Sequence, residues 1–429
     1  MKIRTWTVSL AVLVAGAANA RADISTSGWS YDNNVKGVAF ASDCCEPECG
    51  AADSCCDDSC CGADCGDGCD CGSGCGCGLL GGVEDFSLAG CLGLSECSPI
   101  LIGGWTEGVY MDNNVPLSQA YNDLLSFDDV PDHFHLGQQW FYIGRTIDGS
   151  NGFDIGGRID TVYGTDAQKT QAFGNPGAGV RNFGTWDASL DHGEYGWAIP
   201  QAYVEVGAGA ASMKIGHFFT PIGYEVIPVT GNFFRSHSYT MFNSEPFTHT
   251  GVLGQTTVGD NLTLYGGWTL GWDTGYDQLN SGNNFLGGFA YAINDNVTFT
   301  YLSTYGNFGW RDGGDDNSYE HSMVLVASLT DNLQYIAQSD MIDTSNPGVS
   351  EFDTIGLNQY LLYSLNDVVG IGGRMEWWKA DGVSFYEATS GLNFKLLSNL
   401  NIRPEYRQDW APGIGLDEDT VLDDGYLTY

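Results

Sequence analysis

The sequence predicts an all-β protein, a transmembrane antiparallel β-barrel of about sixteen strands that carries a cysteine-rich N-terminal extension. Three observations indicate this fold. From about residue 100 onward, strand-like segments of about 9–14 residues follow one another. Apolar and polar side chains alternate along these segments. The connections between the segments also alternate, between a short kind and a long kind.

The two kinds of connection give the direction of each strand. Barrels of the outer membrane keep their periplasmic turns short while their outer loops grow, whereas a soluble sandwich has no reason to sort its turns by parity. The long connections cover residues 111–136, 166–195 and 220–247. The short, polar connections are Gly259-Asp260-Asn261, Asn294-Asp295-Asn296, Thr330-Asp331-Asn332, Leu365-Asn366-Asp367 and Ser398-Asn399.

The alternation within each segment predicts which side chains face lipid and which face a watery lumen. In one segment Ile155 and Ile159 lie on the opposite face from Arg158 and Asp160. The sequence contains fifteen such segments, and the last one ends at Trp410. An even number brings both ends of the barrel to the same side, so residues 423–429 are predicted to supply a sixteenth strand.

The predicted domain organisation has three parts. Residues 1–20 have the basic start, apolar middle and small-residue end of an export signal, residues 21–98 form a largely irregular extension, and residues 99–429 form the barrel. The formal net charge of −38, from 54 acidic and 16 basic residues, argues against nucleic acid as a partner. After the first 20 residues no apolar segment has the length of a membrane helix.

All 14 cysteines lie before Ser98, between short runs of Gly, Asp and Glu. Export leads to an oxidising compartment, where intramolecular disulfides form readily. Cross-links to other envelope proteins and metal binding by thiolates remain alternatives, although the spacing fits no closed zinc site. The disulfide candidates are Cys44, Cys45, Cys49, Cys55, Cys56, Cys60, Cys61, Cys65, Cys69, Cys71, Cys75, Cys77, Cys91 and Cys97.

Two groups of residues are candidates for a functional site. Charged residues on the predicted lumen faces are candidates to line a pore: Arg145, Arg158, Asp160, Glu205, Lys214, Arg374, Glu376, Arg403, Glu405 and Arg407. The long connection 220–247 is unusually aromatic for a solvent loop, which favours a constriction inside the barrel over a cap on its mouth or a ligand site. Its candidate residues are Tyr224, Glu225, Phe233, Phe234, Arg235, His237 and Tyr239.

No arrangement of residues predicts an enzyme, a cofactor or a metal site. The sequence has no G-x-S-x-G, H-E-x-x-H or phosphate-loop motif. Ser236 and His237 are adjacent, and adjacent residues of an extended chain point to opposite sides, so they do not form a nucleophile and its base. His217, His237 and His249 lack the spacing of metal ligands, and local hydrogen bonds are the expected role.

Several motifs in order resemble the putative β-barrel porin-2, OmpL-like family across roughly residues 99–410. They include Lys214-Ile215-Gly216-His217-Phe218-Phe219-Thr220-Pro221, Glu245-Pro246-Phe247-Thr248-His249 and Arg374-Met375-Glu376-Trp377-Trp378. The resemblance implies a multi-pass porin of the outer membrane. Its function would be passive diffusion of small hydrophilic solutes and ions through a water-filled channel. Its partners would be lipid and these solutes, with a homo-oligomer left open.

A second interpretation gives the cysteine-rich extension the main role. In it the protein is a structural envelope protein, tethered or cross-linked to other envelope proteins through residues 21–98. The extension lies outside the region of resemblance, so the resemblance does not bear on this alternative.

Overall fold

The computed structural model describes residues 2–14, 88–94, 98–113, 127–150, 152–174, 184–187, 190–309, 317–344, 353–380, 382–397 and 399–412. Sixteen antiparallel strands in this part of the chain form one closed barrel, which confirms the predicted fold class and strand number. No helix among the described residues is long and apolar enough to cross a membrane.

The first half of the barrel contains the longest connections. Its strands are β1 (Lys2–Val14), β2 (Ile100–Asn113), β3 (Phe134–Arg145), β4 (Asp154–Gly164), β7 (Gly196–Ala208), β8 (Ala211–Phe219), β9 (Thr248–Val258) and β10 (Leu262–Thr269). Helix α1 (Leu88–Cys91) precedes β2, and helix α2 (Thr165–Thr170) follows β4. The two-residue strands β5 (Phe173–Gly174) and β6 (Gly184–Thr185) pair with each other, separate from the barrel.

The second half of the barrel has a more regular rhythm. Helix α3 (Tyr239–Asn243) lies in the connection between β8 and β9. The remaining strands are β11 (Asn283–Asn294), β12 (Val297–Asn307), β13 (Ser318–Thr330), β14 (Leu333–Asp343), β15 (Thr354–Ser364), β16 (Val369–Ala380), β17 (Val383–Leu397) and β18 (Leu400–Trp410).

The short connections fall at one end of the barrel, as the parity of the turns predicts. The turn from β9 to β10 consists of Gly259, Asp260 and Asn261, and the positive φ of 66° at Gly259 suits a residue without a Cβ. The connection between β8 and β9, residues 220–247, opens at the other end. The strand pattern therefore allows the two ends to be assigned as periplasmic and outer.

Alternating exposure along the strands confirms that the wall has an apolar outer face and a polar inner face. On β16, Met375 is 63% exposed while its neighbour Arg374 is 1% exposed. On β8, Ile215 is exposed on the outside, and Lys214 points into the lumen. Apolar groups on the outer face are stabilised by lipid, whereas charged groups there would be costly to bury.

The sixteenth strand is not the one that the sequence predicts. Strand β1 closes the barrel by pairing with β18, from Lys2↔Trp410 to Val12↔Leu400, and with β2 on its other side. Residues 423–429, the predicted closing strand, lie outside the described residues. The export signal at residues 1–20 stays a prediction, although in the structure most of that segment is β1.

Of the cysteines, Cys91 ends α1 and the others fall outside the part of the chain that the structure describes. Their pairing, their cross-linking and the structure of the extension therefore stay predictions. The same holds for the boundaries of the three predicted domains.

Candidate functional site

The connection between β8 and β9, hereafter the inner loop (residues 220–247), crosses the lumen. Around the ring of strands, seven strands (β10–β16) separate β9 from β17, and six separate β8 from β17 on the other side, so β17 stands opposite the base of the inner loop. The Phe233 carbonyl of the inner loop accepts a hydrogen bond from Asn393 on β17. Glu225 of the inner loop pairs with Arg374 on β16, and Arg374 in turn pairs with Glu387 on β17. The inner loop therefore spans the full width of the barrel.

Arg374 anchors the inner loop to β16 in the middle of that strand. Its Nη1 donates to Glu225 Oε1 of the inner loop at 2.6 Å and to the Ser236 carbonyl at 2.7 Å. Its Nε donates to Glu387 Oε2 on β17 at 2.9 Å. The guanidinium side chain is completely buried, so both ion pairs are shielded from water.

Two further arginines of the wall bind carbonyl groups of the inner loop. Arg403 Nη1 on β18 donates to the carbonyls of Val229 at 2.7 Å and Asn232 at 3.0 Å. Arg407 on the same strand donates to the His237 carbonyl. Most of the inner loop has no regular secondary structure to satisfy its backbone groups, and these guanidinium groups supply donors instead.

Carboxylates of the wall accept hydrogen bonds from the backbone of the inner loop. Glu405 accepts from the N–H groups of Arg235 at 2.8 Å and Ser236 at 3.0 Å. Glu376 accepts from Tyr239 at 2.6 Å and Thr240 at 2.8 Å, where α3 begins. Charged acceptors form stronger hydrogen bonds than neutral ones, so each pair of bonds fixes a short segment of the loop.

Arg235 connects the inner loop to the other side of the wall. Its side chain is fully buried and contacts three acidic side chains: Asp166 Oδ1 in α2 at 2.8 Å, Glu107 Oε1 on β2 at 3.2 Å and Asp128 Oδ1 at 3.4 Å. These bonds raise the pKa of Arg235 above its ordinary value against the opposing effect of burial. The guanidinium group is therefore charged and pinned in place.

Apolar contacts complete the seat of the inner loop. Phe233 and Phe234 pack with Tyr360 on β15 and Ile336 on β14 in one buried cluster. At Gly372 on β16, any side chain would collide with the ring of Phe233. The lumen face is thus shaped to admit this ring.

Both ends of the inner loop contact Gln338 on β14, through Tyr224 at the end near β8 and through Glu245 at the end near β9. Gln338 Oε1 accepts from the Tyr224 N–H at 3.1 Å, and its Nε2 donates to Asp340 Oδ2 at 2.7 Å and to Glu245. Gly223, at φ +84°, lies so close to Glu245 that an added Cβ would collide with its carboxylate. Only glycine fits this bend without strain.

The inner loop leaves a cavity against the wall formed by β7–β10. Its strand side includes the polar side chains of Gln201, Glu205, Ser212, Lys214 and Gln255. Its loop side includes the apolar side chains of Ile227, Met241 and Phe247, together with Glu225 and Glu245.

The predicted pore-lining residues fall into three groups. Glu205 and Lys214 line the cavity and are partly exposed. Arg158 pairs with Asp160 at 2.6 Å. Arg145 lies on the outer face of β3, in line with the exposed Phe141 and Ile143, and pairs with Asp154 near the short-turn end, so it does not line the lumen as predicted. The others point into the lumen, but the inner loop covers them, and each is at most 4% exposed: Arg374, Glu376, Arg403, Glu405 and Arg407.

All seven loop residues singled out from the sequence lie inside the barrel: Tyr224, Glu225, Phe233, Phe234, Arg235, His237 and Tyr239. The histidines bond locally, His217 Nδ1 with Thr250 Oγ1 at 2.7 Å, His249 Nε2 with Thr220 Oγ1 at 3.1 Å and His237 Nε2 with the Val226 carbonyl at 3.1 Å. The described residues contain no group of three or more His, Cys, Asp or Glu arranged to hold a metal ion.

Sequence reasoning missed the partners of Arg235. Glu107 is a single acidic residue in the otherwise uncharged part of β2, and Gln138 lies between Gly137 and Gln139 on β3. Gln138 Nε2 donates to Asp166 Oδ2 at 2.8 Å and to the Ile227 carbonyl at 2.8 Å. The sequence shows an isolated polar residue on the lumen face, but it does not show which residue that side chain contacts.

The burial of Asp128 predicts a pH-dependent contact. Burial raises the pKa of Asp128 to about 8, and Arg235 opposes the rise. Because the folded protein binds this proton more tightly than the unfolded chain (pKa about 3.9), the contribution of Asp128 to stability falls as the pH rises from about 4 to about 8. We expect proteolysis at residues 127–133 to be faster at pH 9 than at pH 6, and Asp128→Asn to remove most of the difference.

The exposed Asp132 in the same segment supplies a matched control. Asp132→Asn makes the same chemical change without altering a buried carboxyl, so it should keep the pH dependence of the wild-type protein. Equal proteolysis of the wild-type protein at both pH values would contradict this account of Asp128.

One family model matches the sequence, and several solved structures are similar to the chain. The family model described as putative beta-barrel porin-2, OmpL-like matches residues 99–423. The anion-selective porin from Comamonas acidovorans is a similar solved structure, with 9% identity, a TM-score of 0.41, and coverage of 66% of this chain and 94% of that chain. OmpT, an outer membrane protein of Vibrio cholerae, has 8% identity, a TM-score of 0.42, and coverage of 65% and 93%.

No curated protein matches the sequence. The family match alone covers well over half of the chain, and the closed sixteen-stranded barrel is the fold that it requires. The chain therefore belongs to the putative beta-barrel porin-2, OmpL-like family and is a multi-pass porin of the outer membrane.

Proposed function

We propose that the protein is a passive channel for small hydrophilic solutes and ions, narrowed by the inner loop. The observation that carries this proposal is the path of residues 220–247, which cross the lumen, bind the opposite wall and still leave an open cavity beside β7–β10. A barrel of sixteen strands is wide enough to hold an aqueous channel. The inner loop reduces that width to a size that excludes large solutes.

The inner loop suits a fixed constriction better than a mobile gate. Arg235, Arg374 and Arg407 are each at most 1% exposed and bond across the interface between loop and wall. Release of the loop would have to break all of these buried contacts together, because they join the same two surfaces. Solutes would then pass beside the bound loop, and passage would not require the loop to move.

The proposal is tested by reconstituting the purified full chain in planar lipid bilayers and in liposomes. We expect stepwise increases in current and osmotic swelling with small sugars, with swelling that decreases as the solute becomes larger. Insertion into the bilayer without any current would contradict the channel function. That outcome would favour the structural role predicted for the cysteine-rich extension.

A further inference from the structure

The cavity beside the inner loop follows nearly the whole length of one strand. Ser212, the second residue of β8, lines it, and so does Phe219, the last residue of that strand. Seven steps along a strand cover about 23 Å, or roughly 17 Å of height at the tilt usual in such barrels. The apolar band of an outer-membrane barrel is about 25 Å tall, so the cavity extends through most of the membrane.

In the part of the chain that the structure describes, the charged residues on the opposite side of the lumen border no comparable space. Arg374 and Arg407 are 1% exposed and Arg403 is 2% exposed, because the inner loop lies on all three. Their donors are engaged by Glu225, by Asp409 or by carbonyl groups of the loop. An ion in the lumen cannot reach these groups while the loop is in place.

Glu205 and Lys214 are the accessible charged residues of the strand wall along this cavity. They are direct cross-strand neighbours on β7 and β8, and both are partly exposed. Ser212 Oγ donates to Glu205 Oε1 at 3.1 Å, and Lys214 Nζ lies 4.9 Å from the centre of the Tyr203 ring. These contacts hold both side chains against the wall beside the open space.

We propose that solutes cross the membrane along the wall of β7–β10, and that Glu205 and Lys214 determine the ion preference of the channel. The wall arginines are positioning residues that hold the inner loop. This inference rests on the proposed channel function and names its pathway.

The cavity mixes polar and apolar side chains on both sides, with Leu253 and Tyr265 on the strand side and Glu225 and Glu245 on the loop side. It therefore fits small organic solutes that carry both hydrogen-bonding groups and apolar surface.

Charge-neutralising variants give the first test. In water, a unit charge roughly 7 Å from an ion changes the energy of that ion by about RT, which corresponds to a change of about threefold in the permeability ratio. We expect Lys214→Gln to raise the ratio of cation to anion permeability by about that factor, and Glu205→Gln to lower it. Reversal potentials in a salt gradient at low ionic strength measure both.

Lys379 supplies the matched control. It lies on β16 next to Trp378, whose side chain points into the lumen, so Lys379 is on the outer face of the sheet. Lys379→Gln removes the same charge from the chain without changing the cavity and should leave the reversal potential unchanged. An equal shift in Lys379→Gln and Lys214→Gln would mean that the total charge, and not this wall, determines the preference.

Cysteine accessibility gives a second test that does not depend on charge. Gln255 on β9 lines the cavity, whereas Thr389 on β17 is 4% exposed on the far side of the inner loop. We expect a charged methanethiosulfonate reagent to reduce the current through Gln255→Cys and to leave Thr389→Cys like the wild-type protein, whose native cysteines set the baseline. A conducting channel blocked at Thr389→Cys and not at Gln255→Cys would overturn the pathway, whereas absence of current in the wild-type protein would instead overturn the channel function.

Discussion

Replacement of Arg374 by glutamine is expected to release the inner loop from the far wall and to increase single-channel conductance. The variant leaves Glu225 and Glu387 buried without the guanidinium group that now lies between them. A buried pair that loses one partner costs about 3–5 kcal/mol, which shifts the equilibrium between bound and released loop by about a hundredfold to several thousandfold. The lumen of a sixteen-stranded barrel would then be open at its centre.

Arg145→Gln is the matched control for this prediction. Arg145 also pairs with a carboxylate, Asp154, but its side chain is 39% exposed and lies near the short turns, far from the inner loop. The conductance of Arg145→Gln should equal that of the wild-type protein. Unchanged conductance in a folded Arg374→Gln channel would show that the other contacts seat the loop without Arg374.

A steric variant tests the same contact between the inner loop and the wall without creating an unpaired charge. At Gly372, a side chain would collide with the ring of Phe233, so Gly372→Leu should displace the inner loop through volume alone. A rise in conductance in both Gly372→Leu and Arg374→Gln would assign the effect to the position of the loop. If only the arginine variant changed, local charge would be the better explanation.

The strands were readable from the sequence because their signals are local. Turn residues such as Gly259 and Asn261 end a strand by their own backbone preferences. The alternation of side chains has a period of two residues, so it can be recognised within a short stretch of sequence. The fifteen segments predicted up to Trp410 are accordingly all present as strands. The aromatic content of the inner loop was also a local signal, since Phe233 and Phe234 need an apolar surface to contact.

The partners of the lumen charges were not readable, because each contact joins distant segments. Arg374 and Glu225 are 149 positions apart, and Arg235 and Glu405 are 170 positions apart. Alternation correctly placed Arg374 and Arg403 on the lumen face, but it could not show that the inner loop would cover them. Residues on the same face therefore differ in role: Lys214 borders open space, and Arg403 binds the loop.

The segment that forms the sixteenth strand carries two local signals, one for a strand and one for export. Strand β1 fills the gap between β18 and β2, with residues that the sequence also predicts to be removed with an export signal. A gap of one strand would leave two edges with unpaired N–H and C=O groups in the lipid, each costing several kcal/mol. The mature barrel therefore needs either residues 2–14 or another segment in that gap.

Refolding of truncated chains in detergent micelles is expected to separate these alternatives, because refolding needs no export signal. We expect the chain 21–429 to form a barrel that resists SDS until heated, with residues 423–429 supplying the closing strand. The chain 21–412 lacks both candidate strands and should give no heat-modifiable band at all. This would be the largest effect of any change considered, since an open barrel exposes two full edges to the hydrocarbon.

The intact mass of the protein isolated from outer membranes completes this test. A mass that begins at Arg21, together with a closed barrel from the chain 21–429, would show that β1 is replaced once the export signal is removed. If the chain 1–429 closes but 21–429 does not, β1 is a permanent strand and the predicted cleavage is wrong. In either case the closing segment must run from the long-loop end at Trp410 to the short-turn end, because only that direction is antiparallel to both β18 and β2.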